Sequence, residues 1–507
     1  MTQVPAYWQN FIDGAFVDGG GGRLDVLDPG TGEKLAEQAL ADAADVDRAV
    51  KAAKRVSDSR TWMDLRPVER GRIVRKMGDY LLDRIDEIAP ILTREAGKPL
   101  WEAKLEIEGA ARYFEYYGNQ AETMEGRSIP LGGGYFDFTV QEPFAVSAQI
   151  IPWNYPMEMT ARSVSAALAV GCAVVVKTPE LDPLTNKYFA DAALACGLPA
   201  GALNILCGLG KEAGAALSAH SDVNQIVFTG SVATGSAIAT SAARNVVPCV
   251  LELGGKSAAI VYDDADLDAF LSDVRWGIYF NAGQVCSAMS RVIAHGAIHD
   301  RLVDGIVGMA EGLKVGPGLE FPEFGYNMGP MISEGQCQRA AGMVSQAERE
   351  GARIATGGRR MNRPGYFLEP TVLTDVAPDM TIAGDEVFGP VLSVLKARDE
   401  REALEIANGT PYGLVAGVFT ANVDRAMRAS RQLRAGQVFV NEWYAGGVET
   451  PFGGFGKSGY GREKGREALL NYVRRKGLEL LPWTPELRQW QARVELLRIL
   501  DEEAGSP

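Results

Sequence analysis

Short apolar runs alternate with alanine-rich segments of helical spacing between residues 144 and 253. The runs are AVSAQII, AVVV, ALNIL, QIVF and CVLEL, and the segments between them include residues 155–170, 186–195 and 232–243. Short apolar runs separated by helices are typical of a parallel sheet that is buried on both faces. The pattern therefore predicts an α/β fold, and its regularity makes other fold classes poor fits.

The loops that follow these runs are the places to look for chemistry, because ligands of parallel sheets bind beyond the carboxyl ends of the strands. Four loops meet this condition, and they comprise residues 152–156, 177–180, 229–231 and 252–255.

A second series of strands and helices follows residue 255. It consists of predicted strands at 258–261 and 292–294 and predicted helices at 267–280 and 301–313. We expect a second α/β lobe that continues to about residue 450. Other predicted elements are amphipathic helices at 45–56 and 68–95, an alternating strand at 135–140 (YFDFTV), and a terminal helix at 485–501. In the terminal helix Leu487, Trp490, Val494 and Leu497 share one stripe, which favours a docked helix.

Length and charge limit the possible partners. A chain of 507 residues is long enough for about three domains. Its formal net charge of -14 opposes binding to phosphate backbones and anionic lipid, so we expect neither nucleic acid nor membrane as a partner. The apolar run 163–176 is too short to span a bilayer, and no secretory segment is visible. The six cysteines suggest no disulfide framework, so we expect a cytoplasmic protein.

Three side chains stand out as candidates for catalysis. Cys286 lies in FNAGQVCSA, where Gly283 allows the backbone to approach a ligand closely. Glu252 interrupts an apolar strand, where a partly desolvated carboxylate is suited to activate water; a carboxylate satisfied by backbone N–H groups is the alternative. Asn154, in PWNYP, is placed either to donate to an oxyanion or to cap the following helix.

Two loops compete as a phosphate site. Thr229-Gly230-Ser231 joins a strand to a helix, so Ser231 and the first helical N–H groups are placed to hold a phosphate. The glycine-rich loop at residues 208–214 is the rival, but no acidic residue ends a following strand at the usual distance. FGGFGKSG, which would suggest a kinase, lacks the first glycine of a phosphate loop because Pro451 stands there.

Metal chemistry has little support in the sequence. Of the three histidines, His295 and His299 form H-x-x-x-H, but no neighbouring Cys or His completes a site. We therefore expect no metal.

Seven blocks, in this order, resemble the aldehyde dehydrogenase superfamily. They are PWNYP, VVKTPE, FTGSVATG, LELGGK, FNAGQVCSA, EVFGP and PFGGFGKSG. The resemblance extends from FIDGAFV, at residue 11, to about residue 480. It implies a Rossmann-like cofactor domain, a second α/β catalytic domain, a small β oligomerisation element, and NAD(P)-dependent oxidation of an aldehyde to the carboxylic acid.

The resemblance also implies roles for individual residues. The Cys286 thiolate would attack the aldehyde, Asn154 would stabilise the oxyanion, and Glu252 would activate the water that hydrolyses the thioester. Because coenzyme A-acylating members generally lack this glutamate, the chain resembles the hydrolytic branch. The implied cofactor contacts are Trp153, Lys177, Glu180, Gly230, Ser231, Glu386 and Phe388. A carboxylate at Glu180 near the adenine ribose repels a 2′-phosphate, so we expect NAD rather than NADP.

The substrate is left open between two hints. Arg162 lies eight residues after Asn154, where it would either bind a carboxylated semialdehyde or pair with Glu158; some aromatic-aldehyde enzymes also resemble the chain in having arginine here. Trp443 and Tyr444 would either favour a cationic aminoaldehyde or betaine aldehyde, or only pack.

The resemblance further implies a division of the chain. We expect an NAD-binding domain at 1–125 and 144–253, a catalytic domain at 254–450, an oligomerisation element at 126–143 and 465–484, and a helical extension at 485–507. An exposed small sheet needs a partner, so a homodimer or homotetramer is expected. A catalytically silent binding protein of the same superfamily is the alternative from another functional class.

Overall fold

The computed structural model describes residues 4–132, 135–480, 489 and 492–499. Two large sheets, covered by helices, confirm the predicted α/β class. The first sheet has eight strands. In spatial order they are Gly459–Tyr460, Cys249–Glu252, Gln225–Thr229, Val146–Ile150, Ala173–Thr178, Leu203–Cys207, Asn10–Ile12 and Ala15–Val17.

The central strands of the first sheet are those that the apolar runs predicted, and they pair in parallel. Val174 and Val176 belong to one cluster of buried apolar side chains and Val175 to another, so both faces of the sheet are covered. In-register pairing sets Thr229 beside Glu252 and Ile150 beside Lys177. The polar residues that end these strands therefore lie along a single edge.

The second sheet has seven strands, taken from residues 258 to 440. In spatial order they are Arg353–Thr356, Thr371–Thr374, Val391–Ala397, Arg291–His295, Ala258–Val261, Val415–Phe419 and Gln437–Val440. Apart from the antiparallel pairing of the first two, neighbours in this order run parallel.

The helices have clear local causes. The helix after the PWNYP loop begins with Pro156 at its first position, where the missing N–H costs nothing, and ends at Gly171 with φ of 108°. Asp42 and Asp45 form a capping box at the first helix of the chain. The α-helices are Ala43–Asp58, Pro67–Leu82, Ile85–Ala96, Leu100–Gln120, Pro156–Val170, Lys187–Cys196, Ala215–Ala219, Val232–Ala243, Leu267–Val274, His299–Glu311, Glu334–Glu350, Thr381–Gly384, Glu400–Asn408 and Val423–Gln432.

Two predicted helices differ from the structure. The segment 68–95 contains two helices rather than one, separated at Asp83 and Arg84. The predicted helix 267–280 ends at Val274, and the chain continues through a wider turn, Arg275–Tyr279, into the loop that carries Cys286. The wider turn carries the chain almost to the predicted end at residue 280, and the left-handed backbone of Asn281 and Ala282 prevents a helix from continuing beyond it.

A small sheet lies at the periphery. It pairs Ser128–Ile129, Phe136–Pro143 and Val473–Leu480, so YFDFTV joins a strand from far along the chain. Tyr7–Trp8, Lys34–Ala39 and Arg23–Leu27 form another three-stranded sheet, and Lys314–Val315 pairs with Asn327–Met328.

Only part of the predicted terminal helix belongs to the described residues. Residues 492–499 are helical, and Val494 and Leu497 are exposed. The docking predicted for this stripe is therefore absent from the described residues, while Leu487 and Trp490 lie outside them. Across the ranges described above, no helix combines the length and the apolarity that crossing a membrane requires.

Candidate active site

A cavity of about 1050 Å³ opens where the carboxyl edge of the first sheet faces loops of the second. It is lined by eleven of the thirteen residues that the sequence singled out. These are Trp153, Asn154, Arg162, Gly230, Ser231, Glu252, Cys286, Glu386, Phe388, Trp443 and Tyr444. Lys177 and Glu180 do not line it, and neither does the rival glycine-rich loop at 208–214.

Cys286 stands on a loop with a constrained backbone. Asn281 and Ala282 have φ of 47° and 52°, values that non-glycine residues rarely adopt. Gly283, at φ of 72°, has no room for a side chain because a Cβ would stand 2.2 Å from the carbonyl oxygen of Gly389. The close approach expected of Gly283 is therefore to another loop of the protein rather than to a ligand.

The Cys286 thiol is part-buried, and its surroundings oppose ionisation. Burial, together with the Glu386 and Glu252 carboxylates, raises its pKa to about 12, although the Arg162 guanidinium opposes them. At neutral pH the thiol of the free protein is consequently protonated. A thiolate would form only when the charge in the cavity becomes more positive.

Glu252 is the last residue of its strand and is almost fully buried. Neither of its carboxylate oxygens has a hydrogen-bond partner among the residues that the structure describes, so satisfaction by backbone N–H groups is ruled out there. Burial raises the pKa of Glu252 well above its usual range, while Arg162 lowers it. A carboxyl group in this state ionises when positive charge is added to the cavity, and the carboxylate can then accept a proton from water.

Asn154 does not cap the helix that follows it. The capping position is Tyr155, which makes no side-chain cap bond. Instead the Asn154 amide nitrogen donates to the carbonyl oxygen of Gln284 at 3.0 Å, on the loop that leads to Cys286. An amide carries two N–H donors, so one is left to face the cavity that Asn154 lines.

Glu386 and the glycines after Glu252 fit together closely. Glu386 accepts a hydrogen bond from the Gly255 amide at 3.0 Å, and a Cβ on Gly254 would stand 2.3 Å from its other carboxylate oxygen. Burial raises the pKa of Glu386 to about 7. A Cβ on Gly255 would meet the carbonyl oxygen of Cys286 at 2.6 Å, so the two predicted loops touch.

The remaining predicted cofactor contacts lie around this point. The rings of Trp153 and Phe388 meet edge to face, with centroids 5.1 Å apart. Ser231 caps the helix Val232–Ala243 by accepting from the Thr234 amide at 3.3 Å, and it is exposed. At the next strand ends, Lys177 donates to Glu180 at 2.5 Å.

Arg162 is buried in an ion pair, and the partner named as an alternative, Glu158, is the wrong one. Its Nε donates to Glu463, and its Nη2 donates to the Thr229 hydroxyl at 3.0 Å. Glu463 also accepts from Ser163 and Tyr472. Spacing within one helix favours Glu158, but burial selects the acid that the fold brings to the guanidinium.

Trp443 and Tyr444 both line the cavity and pack against the Cys286 loop. The Trp443 indole donates to the carbonyl oxygen of Ser287 at 3.2 Å, and its amide donates to Asp273 at 2.7 Å. Tyr444 has φ of 66° and donates to the carbonyl oxygen of Gly277. Trp443 and Tyr444 therefore line the cavity and also pack against its walls, two roles that were alternatives on the sequence alone.

Sequence reasoning missed three groups of residues. Asn281 and Gln284 lie within a block that was quoted only for its cysteine, so proximity to Cys286 was their signal. Lys98, Glu102 and Glu106 contact the Asn154 and Asn281 loops and had no signal in the local sequence.

The third missed group is aromatic. Trp101, Trp276, Phe280 and Phe324, here called the aromatic entrance, line one end of the cavity. The Trp101 ring lies 5.8 Å from Trp276, 5.9 Å from Phe280 and 5.1 Å from Phe324. Phe324 is 67% exposed, so the cavity opens to solvent beside it.

Comparison with known proteins gives a consistent result. Residues 16–478 match the model of the aldehyde dehydrogenase family. Aldehyde dehydrogenase family 2 member B4, mitochondrial, of Arabidopsis thaliana is 42% identical over 476 residues, which cover 93% of this chain and 88% of the relative. Benzaldehyde dehydrogenase, mitochondrial, of Antirrhinum majus is 40% identical, with 93% and 88% covered.

Solved structures agree. The NAD+ complex of aldehyde dehydrogenase from Bacillus cereus superimposes with a TM-score of 0.92 at 38% identity, covering 94% of this chain and 97% of the other. The similarity therefore extends over both large sheets and the cavity between them.

Proposed function

The chain belongs to the aldehyde dehydrogenase family, and we propose that it oxidises an aldehyde to the carboxylic acid with NAD as hydride acceptor. The observation that carries this proposal is the convergence of Cys286, Glu252 and Asn154 on one cavity, from loops of two different sheets. A thiol, an unpartnered carboxyl group and an amide donor are the three groups that covalent oxidation and hydrolysis require.

The residues around the cavity fit NAD. The helix that Ser231 begins offers backbone N–H groups to a pyrophosphate. Because Gly254 has no Cβ, the Glu386 carboxylate can stay where it is. There it would accept a hydrogen bond from a ribose hydroxyl. Lys177 and Glu180 lie at the neighbouring strand end, where Glu180 would accept from the adenine ribose and repel a 2′-phosphate. When bound, NAD supplies the hydride acceptor.

Cys286 performs the first half of the reaction. Its thiol would pass its proton to solvent water once positive charge lies in the cavity, a charge that the ring of oxidised NAD would supply. The thiolate adds to the aldehyde carbon, and Asn154 together with the Cys286 backbone N–H donates to the oxygen that becomes negative. Departure of the hydride then leaves an acyl group on sulfur.

Glu252 performs the second half. Once positive charge in the cavity has lowered its raised pKa, the Glu252 carboxylate would accept a proton from water, and the resulting hydroxide would attack the thioester carbon. The acid leaves and the Cys286 sulfur is restored. Because Glu252 supplies this base, water can accept the acyl group and coenzyme A is not required.

The aromatic entrance favours an aromatic or long apolar aldehyde. Stacking against such rings adds about 0.5–1.5 kcal/mol per pair beyond the area that is buried. A carboxylated substrate is disfavoured because Arg162 is already bound by Glu463 and Thr229.

A cationic aldehyde is the second candidate. Asp273 and Glu442 line the cavity beside Trp443, and their carboxylates would offset a positive charge next to that ring.

Three further features of the chain are proposed with the function. The NAD-binding and catalytic domains would follow the two large sheets, with the boundaries expected from the sequence. The small sheet of Ser128–Ile129, Phe136–Pro143 and Val473–Leu480 exposes Phe136 and Leu480, and a homodimer or homotetramer would cover them. The acidic charge balance and lack of disulfide pairing suit a cytoplasmic enzyme.

The test is NADH formation with a panel of benzaldehyde, succinate semialdehyde, aminobutyraldehyde, betaine aldehyde and propanal. We expect the highest kcat/KM for benzaldehyde, with NAD preferred over NADP. Phe324→Ala should lower kcat/KM for benzaldehyde but not for propanal, whereas Tyr326→Ala, an exposed ring two residues away that does not line the cavity, should change neither. No NADH with any aldehyde would refute the proposal, and preference for an aminoaldehyde or for NADP would refute its substrate or cofactor part.

A further inference from the structure

Lys98 is buried beside the loop that carries Asn154. Its ammonium bonds the Glu106 carboxylate, donates to the carbonyl oxygen of Asn154 at 3.0 Å and lies 4.3 Å from the centroid of the Tyr155 ring. A lysine ammonium has three N–H donors and no acceptor. Two of them bond Glu106 and Asn154, and the ammonium also lies over the Tyr155 ring, so contacts with three groups orient Lys98.

Glu106 links this contact to the helix after Asn154. Its second carboxylate oxygen accepts from the backbone amides of Met157 at 2.9 Å and Glu158 at 3.2 Å, in the first turn of Pro156–Val170. The Tyr155 side chain makes no cap bond there, so an acid from a different helix supplies the acceptor. Lys98 and Glu106 therefore hold the end of this loop from two sides.

The carbonyl oxygen of Asn154 has a second donor. The Asn281 side-chain amide donates to it at 2.8 Å, and the Asn281 backbone N–H is held by Glu102 at 3.0 Å. Two donors on one carbonyl oxygen fix the plane of the peptide that follows Asn154. The orientation of this peptide in turn sets where the Asn154 side chain points, and that side chain reaches the Cys286 loop at Gln284.

We propose that Lys98, held by Glu106, is a positioning residue for Asn154. It acts on the backbone carbonyl so that the side-chain amide faces the oxygen of an aldehyde bound at Cys286. Lys98 does not line the cavity and touches no substrate. The inference rests on the proposed function, because it assigns Lys98 to the oxyanion donor named there.

The experiment uses Lys98→Met together with Glu106→Gln. The double change removes both charges, so no unpaired charge is buried, and the glutamine oxygen still accepts from the Met157 amide. Removing an oxyanion donor slows turnover by about 10²–10³-fold, and we expect a misdirected donor to cost about 10–100-fold in kcat. KM, the NAD dissociation constant and the rate of Cys286 alkylation by iodoacetamide should be unchanged, because alkylation forms no oxyanion.

A double-mutant cycle separates positioning from general damage. In an Asn154→Ala background the Lys98→Met/Glu106→Gln pair should cause no further loss, because the group that Lys98 positions is gone. Arg70→Met is the matched control, since Arg70 is a buried cation that bonds the carbonyl oxygen of Ala169 near the other end of the same helix. It should lower Tm and leave kcat within about twofold.

Each contrary outcome overturns a specific statement. If Asn154→Ala is slow but Lys98→Met/Glu106→Gln keeps full kcat, the positioning role of Lys98 is wrong and the proposed function stands. The same conclusion follows if the kcat losses of the two variants multiply when they are combined. Equal losses in kcat and in alkylation rate also overturn it, because they indicate a collapsed cysteine loop. If Asn154→Ala keeps full activity, the proposed role of Asn154 fails first.

Discussion

Arg162 and Glu463 form a buried ion pair at the edge of the cavity, although 301 residues separate them in the chain. The guanidinium also bonds Thr229, whose strand neighbour in register is Glu252. The positive charge near the candidate base is therefore part of the fold.

This pair makes a prediction for substrate choice. Arg162→Met leaves the Glu463 carboxylate buried without its cation, which costs about 3–5 kcal/mol of unfolding free energy. Glu463→Gln in the same chain should recover much of that loss. The ranking of aldehydes by kcat/KM should be the same in wild type and double variant, and a selective loss for succinate semialdehyde would show that Arg162 binds a carboxylate after all.

The close contact between Gly254 and Glu386 predicts that a side chain at residue 254 weakens NAD binding. Gly254→Ala places a Cβ where the Glu386 carboxylate lies, so the carboxylate must move. Loss of one charged hydrogen bond of about 1.5 kcal/mol weakens NAD binding about tenfold, measurable by fluorescence titration. Gly384→Ala, with open space around its Cβ, is the control and should bind NAD normally. Equal affinity in both variants would remove Glu386 from the cofactor site.

Glu102 predicts a pH-dependent difference in stability. Burial raises its pKa to about 8 in the folded protein, although Lys98 lowers it. A folded pKa above the unfolded value of about 4.3 means that the stabilising effect of the bound proton is complete below that value and is lost as pH rises towards 8.

Glu102→Gln should escape this loss, because the amide stays neutral and its oxygen still accepts from the Asn281 N–H. The difference in Tm, variant minus wild type, should increase from pH 5 to 8 and then level off. A difference that is flat or falls with pH would mean that Glu102 is ionised throughout.

The Cys286 thiol makes a prediction for alkylation without cofactor. Because its pKa is raised to about 12, the thiolate fraction increases about tenfold per pH unit through the range 7 to 10. The rate of iodoacetamide reaction should follow that slope without a plateau. Addition of NAD should increase the rate at pH 7, since a positive charge favours the thiolate. A plateau near pH 8.5 without cofactor would contradict the buried, protonated thiol.

Much of the architecture followed from local pattern, because each buried parallel strand is a short apolar run whatever its neighbours are. The helix Val232–Ala243 has the predicted bounds, and the strand ends at Asn154, Lys177, Ser231 and Glu252 lie on one edge as predicted. These features depend on residues close together in the sequence, so the spacing of apolar residues is enough to predict them.

The hydrogen-bond and ion-pair partners of the site residues could not be predicted from the sequence, because these partners are far away along the chain. Glu463 and Lys98 lie 301 and 56 residues from the groups they bond, and no spacing rule reaches that far. The left-handed Asn281 and Ala282 were missed for another reason. Neither residue type demands such a backbone; here the Asn281 N–H donates to Glu102, and the neighbouring Gly283 packs against Gly389.

Whether Cys286 and Glu252 divide the reaction as proposed can be read from the intact mass of Glu252→Gln after mixing with NAD and benzaldehyde. Without the carboxylate the first half of the reaction should proceed and the second should stall, so NADH forms in a fast burst and steady turnover falls severely. We expect an acyl group to accumulate on Cys286, as a mass increase that is absent from Cys286→Ala/Glu252→Gln. Unchanged steady turnover with no adduct would contradict it.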